Sequence, residues 1–232
     1  LMVAAIAEFN ALGTEVGGRP VFVEGERVSS GASFDRLRDG SLQPVLWSPA
    51  SSLWGRLLTQ VADVGWVPDR SPSLARTPLV IAMWEPEARA LGWPGKELGW
   101  SDVLAAAQDP RGWGAFGHPE WGSFRLGHTN PDFSTSGLSA VVAEYYAATG
   151  KTEGLTLADV EGDAAREKVR GIQSAVVHYG DTTVFFADQL AAKGRAFASA
   201  VALEETTLVD FNAKKRARDR LIAIYPKEGT FF

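Results

Sequence analysis

The chain has 232 residues, of which 45% are hydrophobic and 22% are charged, and its net charge is -5. That composition is typical of a globular protein with a sizeable core. The acidic balance argues against the basic face of a duplex-binding protein, so no nucleic-acid partner is expected. The absence of cysteine excludes disulfides, thiol catalysis and cysteine-ligated zinc.

Short apolar runs alternate with helical patterns along the whole chain. In chain order we predict a helix at 2–12, a strand at 20–23, a helix at 34–38, a strand at 44–47, a helix at 48–60, a strand at 79–84, helices at 87–91 and 101–108, a strand at 124–127, helices at 136–149, 163–177 and 182–192, a strand at 197–203, a helix at 205–214 and a strand at 221–225. Ser101 is the predicted cap of the helix at 101–108. Alternating strands and helices predict an α/β fold with mostly parallel sheets.

Both ends of the chain lie close to predicted elements. Apolar residues from Met2 to Phe9 have helical spacing with no cap before them, and the strand at 221–225 is followed closely by Phe231 and Phe232. We interpret the chain as a piece of a longer protein that lacks its targeting segment. No apolar run is long enough to span a bilayer.

Three turns rich in serine and threonine follow predicted strands, at 28–33, 47–52 and 127–137. Hydroxyls and backbone N–H groups at a helix start can surround an oxyanion or a polar solute. Plain helix capping is the more common explanation of any one of these turns. Three of them in strand–turn–helix context are a stronger indication of a ligand site, because such ends meet at one edge of an open sheet.

Sequence patterns for catalysis and nucleotide binding are weak. Residues 112–117 match G-x-G-x-x-G as a string, but they follow a helix end and contain Trp113 and Phe116, so a dinucleotide site is rejected. No pattern places a nucleophile beside a base. A hydrolase or transferase using residues near 128–136 or 178–183 is therefore the third hypothesis. We predict no catalytic residue, no cofactor and no metal site.

The sequence resembles the type II periplasmic binding proteins, the superfamily of molybdate-, sulfate- and iron-binding proteins of ABC importers. The most similar branch is the solute-binding domains that often precede a von Willebrand factor A domain. The segments that carry this resemblance are Val-Leu-Trp-Ser-Pro-Ala-Ser-Ser-Leu-Trp at 45–54, residues 77–84, residues 128–137, Tyr-Gly-Asp-Thr-Thr at 179–183, Val-Ala-Leu-Glu-Glu at 201–205 and Ala-Ile-Tyr-Pro-Lys-Glu-Gly at 223–229.

The resemblance implies a two-lobed fold, each lobe a mixed, mostly parallel sheet flanked by helices, truncated at both ends. Lobe one would hold 1–78 plus 216–232 and lobe two 79–215, with crossing strands near 77–84 and 221–226. A loop at 66–78 marks the boundary. The implied ligand-binding residues of the cleft are Ser29, Ser30, Ser48, Ser51, Asn130, Ser134, Thr135, Ser136, Asp181 and Thr182.

The function implied is that of an extracytoplasmic solute-binding protein, periplasmic or anchored at the cell surface, and not an enzyme. It would capture a small polar or anionic ligand, such as an oxyanion, between the lobes for transport or sensing. The implied partners are an ABC transporter permease or a covalently linked von Willebrand factor A domain, and a monomer is expected. The alternative is a scaffold domain of a larger surface protein with a degenerate cleft.

Overall fold

The computed structural model describes residues 2–62, 67–68 and 71–229. Leu1, Phe231, Phe232 and part of the predicted boundary loop at 66–78 lie outside the described residues. The described elements are α1 (Met2–Ala11), β1 (Glu15–Val16), β2 (Arg19–Pro20), α2 (Ser30–Arg38), α3 (Ser52–Ala62), β3 (Leu79–Trp84), α4 (Glu85–Ala90), α5 (Trp100–Gln108), β4 (Leu126–Thr129), α6 (Thr135–Thr149), α7 (Leu157–Glu161), α8 (Asp163–Gln173), β5 (Val176–Gly180), α9 (Thr183–Lys193), β6 (Ala200–Glu204), α10 (Glu205–Ala213) and β7 (Leu221–Ile224).

A five-stranded sheet with the order β5-β4-β6-β3-β7 forms the centre of the fold. Strand β4 pairs in parallel with both β5 and β6, whereas β3 pairs antiparallel with both β6 and β7. The sheet is therefore mixed. The carboxyl ends of β4, β5, β6 and β7 all lie at one edge, and β3 enters at that edge.

Apolar side chains cover both faces of this sheet. Along β3, Leu79, Ile81 and Met83 belong to one core cluster, which also contains Trp100 of α5. Val80, Ala82 and Trp84 alternate with them and belong to a second cluster with residues of α9 and α10. All six residues of β3 are buried, which explains why a continuous apolar run, and not an alternating pattern, marks this strand.

Helices α2 and α3 form a small separate core. Phe34 and Leu37 of α2 pack against Trp54 and Leu58 of α3. Leu138 of α6 is partly buried and packs against the same cluster. Together with α1 and the β1–β2 hairpin, these are the described elements of the first 78 residues. The proposed division into lobes, with crossings near 77–84 and 221–226, stays a prediction. In the structure, both segments contribute neighbouring strands, β3 and β7, to the same sheet.

Several predicted elements differ from the observed ones. Residues 44–47 form no strand, and Val45 and Leu46 are exposed without a pairing strand among the described residues. The helix predicted at 163–177 ends at Gln173, and β5 follows at once. Ser101 does not cap α5, because Gly99 holds the capping position and the carboxylate of Glu228 accepts hydrogen bonds from the first N–H groups.

Within the residues that the structure describes, no helix is both long enough and apolar enough to cross a membrane.

The short helices fit their roles as crossover connections, since they return the chain from the end of one strand to the start of another.

Candidate ligand site

Three helices begin at the sheet edge where β4, β5 and β6 end. Helix α6 follows β4, α9 follows β5 and α10 follows β6, so their N-termini point towards the same edge. Free N–H groups and the helix dipole make such ends suitable for polar or anionic groups. The predicted turn at 127–137 and the segment at 179–183 lie here.

The turn between β4 and α6 holds four of the predicted residues. The Oγ atoms of Ser134 and Ser136 are 3.0 Å apart, and Ser136 Oγ is 2.8 Å from Thr129 Oγ1. Asn130 Oδ1 accepts a hydrogen bond from the Asp132 N–H at 2.9 Å. Ser136 is buried, whereas Asn130 and Ser134 are half-buried, so the latter two face the edge.

The β5–α9 turn lies directly beside this one. The Asn130 N–H donates to the Gly180 carbonyl at 2.9 Å. Asp181 follows and is exposed, and Thr182 caps α9 by accepting the Phe185 N–H at 3.1 Å. Asp181 and Thr182 therefore belong to the same surface as the third predicted turn.

The first predicted turn meets the third in direct contact. The Gly31 N–H, at the start of α2, donates to the Phe133 carbonyl at 2.9 Å. A Cβ atom on Gly31 would lie 2.2 Å from the Asp132 carbonyl oxygen, so only glycine permits this approach. Ser29 caps α2 by accepting the Ala32 N–H at 3.4 Å.

The second predicted turn joins the same group through the first. Ser30 Oγ accepts the Ala50 N–H at 3.1 Å, and Ser51 Oγ accepts the Leu53 N–H at 3.2 Å. Helix α3 then reaches the third turn, where the indole N–H of Trp54 donates to Thr135 Oγ1 at 2.8 Å. Ser48 is exposed and makes no side-chain hydrogen bond among the described residues.

Capping and ligand binding are compatible at these positions. In Ser29, Ser51 and Thr182 the hydroxyl oxygen accepts a backbone N–H, which leaves the hydroxyl hydrogen available for another acceptor. The capping alternative is thus correct for the local bonds of these three residues. It does not remove them as ligand donors.

Residues outside the predicted set share this edge. Glu205 begins α10 beside the entry of β3, where its N–H donates to the Pro78 carbonyl at 3.0 Å, and the Tyr225 hydroxyl after β7 donates to its carboxylate. Thr183 and Thr207 connect α9 with α10, with their Oγ1 atoms 3.3 Å apart. The rule that polar residues after parallel strands meet at one edge would have nominated all of these.

A buried polar network lies beneath the β4 end of the site. The amide of Gln173 donates to the Glu144 carboxyl at 2.7 Å and to His128 Nε2 at 3.0 Å, and it accepts the Tyr179 hydroxyl at 2.7 Å. His128 Nδ1 donates to the Thr129 carbonyl at 2.7 Å, so Nδ1 carries a hydrogen.

Burial dominates the protonation of this network. It raises the pKa of Glu144 to about 8, against a smaller lowering by Gln173, and it lowers the pKa of His128. Both groups are therefore neutral at pH 7. His128 is fully buried and bonded to Gln173, with no serine hydroxyl among its described partners, so it forms no nucleophile–base pair there.

The charges at this edge are mainly carboxylates. Asp132 and Asp181 are exposed, and Glu204 is half-buried at the end of β6. Among the described residues no group of three or more histidine and acidic side chains is arranged to hold a metal ion. Arg27, two residues before Ser29, and Arg76, next to the entry of β3, are basic residues near these loops in sequence, and both are exposed.

A family model described as "Bacterial extracellular solute-binding protein" matches residues 1–232. No protein with curated annotation matches the sequence. The family is therefore shown by this model, which covers the whole chain.

Three solved structures with similar folds are each less than 20% identical to this chain in sequence. The sulfate-binding protein SubI from Mycobacterium tuberculosis H37Rv superposes with a TM-score of 0.58 at 16% identity, covering 99% of this chain and 68% of that one. The periplasmic binding protein AfuA from Actinobacillus pleuropneumoniae, with fructose-6-phosphate bound, gives 0.55 at 17% identity and covers 99% and 67%. A periplasmic thiamin binding protein gives 0.56 at 14% identity and covers 97% and 64%.

These structures confirm the predicted α/β fold of the periplasmic binding proteins. The chain spans about two thirds of the length of each of them. The family and the neighbouring structures are binding proteins and not enzymes. Nothing in these comparisons links the chain to a von Willebrand factor A domain.

Proposed function

This chain belongs to the bacterial extracellular solute-binding proteins, and we propose that it captures a small polar solute at the edge where β4, β5 and β6 end. The observation that carries the proposal is the contact of separate polar turns. Residues 29–31, 50–54, 130–136 and 180–182 are distant in sequence, yet hydrogen bonds join them. The segment at 130–136 is bonded to each of the other three, and 50–54 is also bonded to 29–31.

The hydrogen-bond donors and acceptors in these turns support a narrower class of solute. Hydroxyl hydrogens of Ser29, Ser51 and Thr182 can donate to oxygen atoms of a ligand. The carboxylates of Asp132 and Asp181, in the same loops, provide hydrogen-bond acceptors. A ligand that has both donors and acceptors satisfies this set. We therefore favour a neutral or zwitterionic solute, such as a sugar or an amino acid, over a multiply charged oxyanion.

A thermal-shift panel tests the proposal. It would contain sugars, amino acids, thiamin, sulfate, phosphate and a sugar phosphate, each at millimolar concentration. A ligand at 100 times its Kd stabilises the folded state by about 2.7 kcal/mol, which is a rise of several degrees in Tm for a chain of this size. We expect this rise with a neutral or zwitterionic member of the panel. A larger response to sulfate or phosphate would contradict the proposed ligand class.

Two threonine caps provide a matched pair of variants. Thr182 caps α9 at the site, and Thr156 caps α7 away from it by the same kind of bond, to the Asp159 N–H. Thr182→Val and Thr156→Val should each lower Tm through loss of a cap, worth about 1 kcal/mol. Only Thr182→Val should also reduce the ligand-induced rise. Equal ligand responses in the two variants would place binding elsewhere.

The second candidate function is a scaffold whose cleft no longer binds a solute. The observation in its favour is the direct packing of α2 and α3 on the third turn, through Gly31 to Phe133 and Trp54 to Thr135. A flat response across the whole panel, in a chain that unfolds cooperatively, would favour this candidate.

The proposed role in the cell follows from the family. We propose an extracytoplasmic location, periplasmic or at the cell surface, and delivery of the solute to an ABC transporter permease or to a sensing partner. A covalently linked von Willebrand factor A domain remains part of the proposal as an alternative partner. Sequencing of the gene on both sides of the segment encoding residues 1–232 would test this, because a linked domain must be encoded in the same reading frame.

A further inference from the structure

A histidine and a lysine lie against the ring of Phe197 at the opposite edge of the sheet, and Arg125 directly precedes the strand β4 beside them. The His178 ring stacks on Phe197 with centroids 4.0 Å apart and planes at 5°. Lys193, the last residue of α9, holds its Nζ atom 5.6 Å from the centroid of the same ring, within cation–π distance. Arg125, His178 and Lys193 are called the basic cluster below.

Strand pairing brings Arg125 to this place. It directly precedes β4, and its carbonyl accepts the Ser199 N–H at 2.8 Å, just before β6. His178 pairs with Gly127, two residues after Arg125, so the two side chains share the α9 face of the sheet. This edge holds the starts of β4 and β6, whereas the candidate ligand site lies at their ends.

The basic cluster has no acidic partner among the residues that the structure describes. Within residues 2–62, 67–68 and 71–229, no ion pair involves Arg125, His178 or Lys193, and Arg125 Nε is buried without a hydrogen-bond partner. Acids on neighbouring elements are engaged elsewhere. Asp188 of α9 pairs with Arg216, and Glu87 and Asp219 both pair with Arg195.

Repulsion within the cluster affects the histidine. Burial first, then the ammonium of Lys193 and the guanidinium of Arg125, lower the pKa of His178, against a hydrogen bond to the Phe197 backbone. A negative group between these cations would reverse that repulsion. A guanidinium presents parallel N–H donors that match two oxygens of one anion, and the lysine adds a point charge.

We propose that the basic cluster binds a small oxyanion, with Arg125 and Lys193 as its charged ligands and His178 as a third donor. This site is separate from the cleft of the proposed function. The carbonyls at the C-terminal end of α9 disfavour an anion, so the two cations are needed together. Loss of either one should therefore weaken binding strongly.

Histidine NMR tests this with inorganic phosphate as the probe. The chain has three histidines, and the signal that disappears in His178→Gln identifies His178. Phosphate, compared with sodium chloride at equal ionic strength, should raise the pKa of His178 by about one unit in a saturable manner. His118, which already contacts Glu120, serves as the internal reference and should not change.

Substitutions decide whether the cluster is responsible. Lys193→Met, at an exposed position, and Arg125→Met should each reduce the phosphate effect on His178 at least several-fold. Lys214→Met is the matched control, because Lys214 is an exposed lysine paired with Asp210 at a helix end. An equal effect of chloride, or an unchanged phosphate effect in Lys193→Met, would overturn the proposal. Neither result would bear on ligand binding at the other edge, which the threonine pair tests separately.

Discussion

Replacement of Glu144 by glutamine removes the most strongly perturbed buried acid in the described part of the chain. Glu144 lies on α6, is fully buried, and has the amide of Gln173 as its hydrogen-bond partner. Glutamine has the same shape and can still accept that hydrogen bond, but it cannot ionise. The variant therefore isolates the energy of keeping a carboxyl group in this position.

The magnitude follows from the pKa. Burial raises the pKa of Glu144 from 4.5 to about 8. Between those values the folded chain holds a proton that the unfolded chain has lost, so the free energy of unfolding falls as pH rises. At about 1.4 kcal/mol per pH unit, the loss amounts to roughly 5 kcal/mol between pH 4.5 and pH 8. Below pH 4.5 and above pH 8 this group contributes no slope.

Urea denaturation at pH 5, 7 and 9, followed by far-UV circular dichroism, measures this. The wild-type chain should lose stability relative to Glu144→Gln as pH rises, by roughly 4 kcal/mol between pH 5 and pH 9, which is a large part of a typical stability. Titration of His128 occurs in both chains and cancels in the difference. Glu167→Gln, at an exposed position of α8, is the control and should follow the wild type.

Parallel pH profiles for wild type and Glu144→Gln would refute the reasoning. They would mean that Glu144 ionises at its ordinary pKa in the folded chain, through water or rearrangement that reaches it. A wild-type chain that gains stability with rising pH relative to the variant would show that the ionised form is the one stabilised, with Gln173 as its donor.

Three further outcomes are expected. Thr135→Val should lower the free energy of unfolding by about 1–3 kcal/mol, because it leaves the Trp54 N–H without its acceptor, and a double-mutant cycle with Trp54→Phe should show the two losses to be non-additive. Gly31→Ala should destabilise the chain by at least 1 kcal/mol in urea denaturation, since its Cβ would meet the Asp132 carbonyl at 2.2 Å; unchanged stability would contradict the observed packing. Glu228→Ala should cost about 1 kcal/mol and expose the start of α5 to faster amide exchange.

The sequence predicted the elements whose signals are local. The strand at 79–84 is a continuous apolar run, and it is buried on both faces. The long helix α6 and the strand at 221–225 were also confirmed to within one residue. Each has an apolar pattern of the right period, closed by a residue that ends the element, so no distant partner was needed to recognise it.

Two segments, 174–177 and 44–47, were assigned to the wrong kind of element because their local patterns are misleading. Strand β5 is an outermost strand of the sheet and has His178 and Tyr179 among its five residues. It follows the amphipathic helix α8 after only two residues. The helical pattern therefore continued across the boundary. At 44–47 the reverse occurred, because Val45 and Leu46 are apolar but exposed, and apolarity alone predicted a strand.

In the candidate site, too, local features were predicted and contacts between distant residues were not. The turns at 28–33, 47–52 and 127–137 were found because capping chemistry is visible in a few consecutive residues. The contact of Trp54 with Thr135 joins residues 81 apart, and that of Glu228 with Trp100 joins residues 128 apart. No local pattern contains those pairs. They depend on which strands are neighbours in the sheet.

The serine and threonine caps also affect how these turns would bind a solute. A hydroxyl that caps a helix fixes its own oxygen against a backbone N–H, which also fixes the direction in which its hydrogen is available. Capping therefore orients these groups in advance, which lowers the entropy cost of binding a solute. The same kind of cap occurs at Thr156, away from the proposed site, and at Thr182, within it. What distinguishes Thr182 is its position at the end of a strand beside three other polar turns.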